Sequence, residues 1–137
     1  MSEAGHLSLT VVTPERSVVE RVACDSVSLP GELGELGILP GHTPLVALLG
    51  VGRVAWTEGG RKTAVAVRGG FVEVAGDAVR VLADLAAEKD AIDAVAAREA
   101  RSEGDVRRLA VVGQEQLDAV NADIAYAEAK LAVVQGG

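Results

Sequence analysis

Hydrophobic residues recur at every second position through much of this chain. Leu7, Leu9 and Val11 alternate with Ser8 and Thr10, and Pro14 ends the run. Val27 and Leu29 alternate with Ser26 and Ser28, and Pro30 stops them. Val54 and Trp56 lead into Glu58-Gly59-Gly60, a hairpin signal, and Val65 and Val67 lead out of it to Gly69-Gly70. Val72 and Val74 precede a second hairpin signal, Gly76-Asp77, and Val79 and Val81 follow it. Short strands with turns this closely spaced predict a β-sandwich or barrel of mainly antiparallel strands; alternation alone does not choose between them.

After Asp84 the pattern changes. Ala, Glu, Arg, Asp and Leu dominate, Pro is absent, and β-branched residues thin out. Apolar residues now fall at helical spacing: Leu117, Val120, Ile124, Ala127, Leu131 and Val134. Asp90 is placed to cap a helix beginning at Ala91, with Asp93 in its first turn. Gly104 and Gly113 both offer a turn between two helices. Gly113 is preferred, because it gives nearly equal arms, Ala91–Val112 and Gln114–Gln135, each about 33 Å long at ~1.5 Å per residue. Gly104 then lies inside the first helix and weakens it by about 1 kcal/mol relative to Ala. The expected organisation is a sandwich over residues 1–86 and an antiparallel α-helical hairpin over 87–137. Two helices this rich in small residues bury little area, and at ~25 cal/mol per Å² they are marginal alone. The hairpin is therefore expected to lean on the sandwich, on a partner, or on each in turn.

Composition narrows the function. Hydrophobic residues make up 49% of the 137, enough for a core, but aromatics only 2%, so the core must be Val, Leu and Ala. The net charge of −7 argues against nucleic acid and against docking on anionic lipid. No run approaches the roughly 20 apolar residues that span a bilayer, so no lipid insertion is expected. The N-terminus lacks the basic and apolar regions of a secretory signal. Cys24 stands alone, which rules out an internal disulfide and is consistent with a reducing compartment.

No catalytic constellation stands out. His6 and His42 lie far apart in the chain, and with one Cys there is no usual metal quartet. Glu32 and Glu35 read as solvated carboxylates of a turn-rich loop. Gly31, Gly34 and Gly37 lack the Gly-Lys-Ser/Thr and the long helix of a phosphate-binding loop. Gly69-Gly70 reads as a strand bend. The expectation is a non-catalytic chain without cofactor.

The stretch from Leu29 to Leu45 is the most specific feature. It packs four Gly and three Pro into seventeen residues, with Ile38, Leu39 and Leu45 among them. That composition predicts a fixed series of turns rather than a flexible linker. The order Gly34-Glu35-Leu36-Gly37-Ile38-Leu39-Pro40-Gly41-His42-Thr43-Pro44-Leu45 closely resembles the signature of the epsilon subunits of F-type ATP synthases. Val11-Val12-Thr13-Pro14-Glu15 before it, and Gly70-Phe71-Val72-Glu73-Val74 with Val79 to Asp84 after it, agree in order and spacing. The resemblance covers roughly residues 7 to 93 and extends to the helices only in character.

That resemblance implies a flattened two-sheet sandwich with a helical hairpin. It implies a central-stalk rotor subunit, peripheral on the cytoplasmic face of the bacterial inner membrane. The sandwich would bind the gamma subunit and the membrane c-ring, coupling proton-driven rotation to ATP synthesis. Glu35, Leu39, Pro40, Gly41, His42 and Thr43 would help seat it on the ring; from the residues alone, His42 reads as a half-buried side chain holding its turn by backbone hydrogen bonds. The hairpin would reach the alpha/beta catalytic head with Arg98, Arg101, Arg107 and Arg108 and restrain ATP hydrolysis. Some family members bind ATP through Ile-Asp-x-x-Arg-Ala at the hairpin start. Here only Ile92 and Asp93 match, and Ala96 replaces the Arg, which speaks against an ATP-sensing hairpin. An unrelated β-sandwich binding module is the remaining alternative.

Overall fold

The computed structural model describes residues 6–136. Eight strands come first: β1 (Leu7–Val12), β2 (Ser17–Cys24), β3 (Ser26–Gly31), β4 (Gly34–Ile38), β5 (Leu45–Leu48), β6 (Val51–Glu58), β7 (Arg61–Ala75) and β8 (Ala78–Ala87). A 3-10 turn at Lys89–Ala91 leads to helices α1 (Ala94–Arg108) and α2 (Gly113–Val134).

The strands run in the order β2-β1-β8-β7-β6-β3-β4, and β5 joins separately onto β7. All pairs are antiparallel except β1 with β8. The long strand β7 shapes the domain. Its first part pairs with β6 and its last part with β5. Between them Gly69 and Gly70 take φ of 71° and 105°, and the β8 register skips from Arg68 to Gly70. A Cβ on Gly70 would lie 2.0 Å from the Leu82 carbonyl oxygen, so only glycine fits this bulge. The bend expected at this pair is present, but the strand continues through it. The sheet thereby folds over a core of alternating residues, among them Leu9, Val11, Val54, Val67, Val72 and Val81, all fully buried. Trp56 belongs to that core, whereas Phe71 faces outward. Cys24 is buried as well, and burial pushes its thiol up to about 11, which keeps it protonated and unreactive.

Four sequence expectations are corrected. The Gly/Pro stretch is only partly turns: Gly34–Ile38 forms edge strand β4, paired antiparallel to β3. Pro30 does not stop β3, because it lies beyond the residues that pair with β6 and interrupts no ladder on that side. The first helix begins later than Ala91. Asp93 is its N-cap rather than a first-turn residue, its carboxylate accepting from the Ala96 amide at 3.1 Å, while Asp90 sits in the 3-10 turn. The arms are unequal, 15 and 22 residues, because residues 109–112 form the connection and Gly113, with φ 83°, opens α2. Gly104 lies inside α1, as expected with the turn at Gly113, but it is a point of close approach to Ile124 as well as a weak helix former.

The hairpin leans on the sandwich. Ala129 and Val133 of α2 pack on Ala55 of β6 and on Ala64 and Ala66 of β7, with Ile92 and Tyr126 at the margin. These small residues let helix and sheet approach closely but bury little area.

Candidate functional site

The loop after β4 is held by backbone and by one side chain from elsewhere. The His42 amide donates to the Leu39 carbonyl at 3.1 Å, and His42 Nδ1 lies 2.6 Å from the Thr43 carbonyl oxygen, to which it donates. His42 is half-buried, as a turn-holding residue should be. The Gly41 amide donates to Asp77 Oδ1 at 3.0 Å, and the Asp77 carbonyl accepts from the Ser8 amide at 2.8 Å. Asp77, in the β7–β8 turn, thus ties this loop to β1. Leu39, Pro40, Gly41, His42 and Thr43 form one local surface with Leu39 exposed. Glu35 is not part of it. It sits four residues back along β4, about 13 Å away at ~3.3 Å per residue, and accepts from the Ser28 hydroxyl in a short hydrogen bond.

The outer face of the layer containing β5 carries an apolar row that none of the described residues covers. Leu48 stands opposite Phe71, Phe71 opposite Leu82, and Leu82 opposite Val12, so these side chains form one row across four strands. Val46 flanks it on β5, 70% exposed beside Leu48 at 59%, and stands opposite Glu73, which pairs with Arg80 at 3.6 Å. A groove of about 360 Å³ between the β3–β4 turn and β5 extends this face past Leu33 and Leu36. Patches of this kind on a folded chain mark interaction surfaces. The helices cover the opposite outer face, at β6 and the first part of β7.

The basic residues of α1 do not form a single cluster. At about 100° per residue, Arg98, Arg101 and Arg108 fall within one arc and Arg107 faces away from it. Arg107 Nη2 donates to Asp123 Oδ2 of α2 at 3.0 Å. Asp123 Oδ1 also accepts from Arg68 Nη1 of β7 at 2.7 Å. Arg108 bonds Asp105 at 3.3 Å and Asn121 at 3.4 Å. Among the described residues, Arg98 and Arg101 make no ion pair. The Arg68 and Arg107 guanidiniums hold the Asp123 carboxyl below its ordinary value. At the root of the hairpin, Arg16 makes two hydrogen bonds to Glu88, at 2.9 and 2.6 Å, which likewise lowers the Glu88 carboxyl. The connection at the tip is apolar: Leu109 is 88% and Val112 76% exposed.

Of the nucleotide candidates, Ile92 packs at the contact between hairpin and sandwich and Asp93 caps α1. No group of three His, Cys, Asp or Glu among the described residues could hold a metal ion. No described helix is long and apolar enough to cross a membrane. Sequence reasoning missed Asp77, Arg68, Asp123, Arg16 and Glu88. Asp77 was legible only as a turn residue. The ion pairs join residues 16, 55 and 72 positions apart, for which periodicity carries no signal.

The comparisons with known proteins agree with one another. The family model for the delta/epsilon chain β-sandwich domain of ATP synthase matches residues 6–89. The ATP synthase epsilon chain of Solibacter usitatus is 44% identical over 128 residues, covering 92% of this chain and 93% of the relative. That of Desulforamulus reducens is 45% identical over 121 residues, covering 88% and 89%. Among solved structures, a chain of the Euglena gracilis mitochondrial ATP synthase OSCP/F1/c-ring assembly superposes with a TM-score of 0.76 at 20% identity, over 90% of this chain and 78% of that one. A chain of the Tetrahymena thermophila mitochondrial ATP synthase central stalk/c-ring gives 0.56 at 11% identity, over 93% and 96%; both likenesses concern the fold. The extent of the family match and the identity of the full-length relatives settle the assignment: this chain belongs to the epsilon-chain family of the ATP synthase.

Proposed function

We propose that this epsilon chain, a rotor-stalk subunit of the ATP synthase, works without catalysis of its own. Its sandwich joins the gamma subunit to the membrane c-ring, and its hairpin restrains ATP hydrolysis when it reaches the alpha/beta head. The observation that carries this reading is the division of its surface. The helices cover one outer face of the sandwich, and on the other no described residue covers the apolar row through Leu48 and Phe71, which Val46 flanks. That bare face suits the gamma subunit, since a constitutive contact between subunits needs an apolar centre. The braced loop from Leu39 to Thr43 suits the ring. Its turns are already fixed by Asp77 and His42, so a contact made there loses little further entropy.

The brake reading rests on Arg107 and Arg108, adjacent cations near the tip of a hairpin that is only lightly packed on the sandwich. Arg98 and Arg101 lie nearer the root, on the same arc of α1 as Arg108. Reversing the charge of Arg107 and Arg108 to Glu in the assembled complex is expected to raise ATP hydrolysis without loosening assembly. Hydrolysis unchanged in a fully assembled mutant complex contradicts the brake.

A further inference from the structure

The contact between hairpin and sandwich is poor in apolar area, consisting largely of alanines facing Ala129 and Val133. Against that background one carboxylate joins three elements. Asp123 of α2 accepts from Arg68 of β7 at Oδ1 and from Arg107 of α1 at Oδ2. Each of its oxygens has a cation, and each cation comes from a different element. The close approach of α1 and α2 at Gly104 and Ile124 brings Arg107 within reach. Arg108 is engaged in a similar way by the hairpin's own Asp105 and Asn121.

We propose that Asp123 is an ionic latch: its single carboxylate, shared by Arg68 of the sandwich and Arg107 of α1, holds the hairpin down and occupies the cation that an acidic protein surface would need. The latch rests on the brake reading only for the identity of that surface. Asp123 acts as an internal substitute for the partner's carboxylate. Arg107 also faces Glu103 of its own helix at 3.9 Å, so an acidic surface competes for it with both carboxylates, and the Arg68 pair still holds α2 once Asp123 has lost Arg107. Release is therefore stepwise, α1 before α2. The restraint is modest, because both pairs are partly exposed, with the side chains of Arg68, Arg107 and Asp123 at 30%, 46% and 35%. A modest restraint suits a switch, since a partner of ordinary affinity can overcome it.

The test uses the isolated full chain. Asp123→Asn keeps shape and removes charge. Amide exchange at Ala129–Val133 is expected to rise about fivefold, the factor set by losing two partly exposed ion pairs, while the β1 and β8 core amides stay unchanged. Hexaglutamate at low salt is expected to bind the variant several-fold more tightly than the wild type, and adding Arg107→Gln should abolish that gain. Should the variant lose its helices by circular dichroism, the wild type supplies the same test: raising salt from about 0.05 to 0.5 M should speed exchange at Ala129–Val133. Exchange indifferent to both charge and salt overturns the latch, as does hexaglutamate affinity unchanged in a folded variant. The catalytic head is absent from these assays. A chain that passes them while the Arg107 and Arg108 reversals leave hydrolysis unchanged keeps the latch and loses only the brake.

Discussion

A Cβ on Gly104 of α1 would lie 2.6 Å from Ile124 Cγ1 of α2. The two helices meet there more closely than any side chain on α1 allows. Gly104→Ala has two opposed effects. Helix propensity gains about 1 kcal/mol, and overpacking loses about 1–3 kcal/mol. The clash is with a branch atom close to the Ile124 backbone, and Ile124 Cδ1 lies only 3.4 Å away, so rotation gives little relief. Overpacking wins, with a net loss of roughly 1 kcal/mol in the hairpin. Urea unfolding followed by helical circular dichroism measures it. Adding Ile124→Ala should cost less in the Gly104→Ala background than in the wild type. Simple additivity would contradict the close contact.

Acid should loosen the hairpin. Arg68 and Arg107 lower the Asp123 carboxyl in the folded state, and Arg16 lowers that of Glu88. A carboxyl lowered on folding contributes stability that is present above its unfolded value and lost as pH falls through the folded one. Docking is expected to hold constant from pH 8 to about 5 and to weaken below about 4, where ordinary carboxylates begin to protonate. Amide chemical shifts of Ala129 and Val133 across a pH titration report it. Docking that tightened in acid would show that these pairs do not hold the hairpin.

Asp77→Ala removes the acceptor of the Gly41 amide without touching the loop itself. The expected loss is about 1 kcal/mol, confined to the loop, seen as faster amide exchange at Gly41 and His42 with the core strands unaffected. In the assembled complex the same variant should weaken ATP-driven proton pumping more than it weakens ATP hydrolysis. Unchanged exchange at Gly41 would remove Asp77 from the loop's support.

The sequence made the strands around the core legible because their residues obey a strict period of two: Leu9, Val11, Val72, Val74, Val79 and Val81 all face inward. Strand β2 was not readable in this way. It lies at the sheet edge, its register against β1 shifts, and Arg21 takes a positive φ of 46°. Strand β4 was hidden by its glycines, whose composition signals turns although the backbone pairs with β3. The start of α1 was misplaced because Asp90 and Asp93 are both good caps, and only the 3-10 turn before Ile92 decides between them. The surface loop was legible through its unusual residue order. The bracing of that loop by Asp77 and the sharing of Asp123 were not, since both depend on residues brought together from distant parts of the chain.

The central claim, a rotor subunit whose hairpin restrains hydrolysis, is tested most directly by reconstitution. The purified chain is added to an epsilon-depleted catalytic head from the same organism, and binding and ATP hydrolysis are measured together. Tight binding with suppressed hydrolysis, relieved by the Arg107 and Arg108 reversals, is the predicted result. Absence of binding, or tight binding with hydrolysis unchanged, would contradict it.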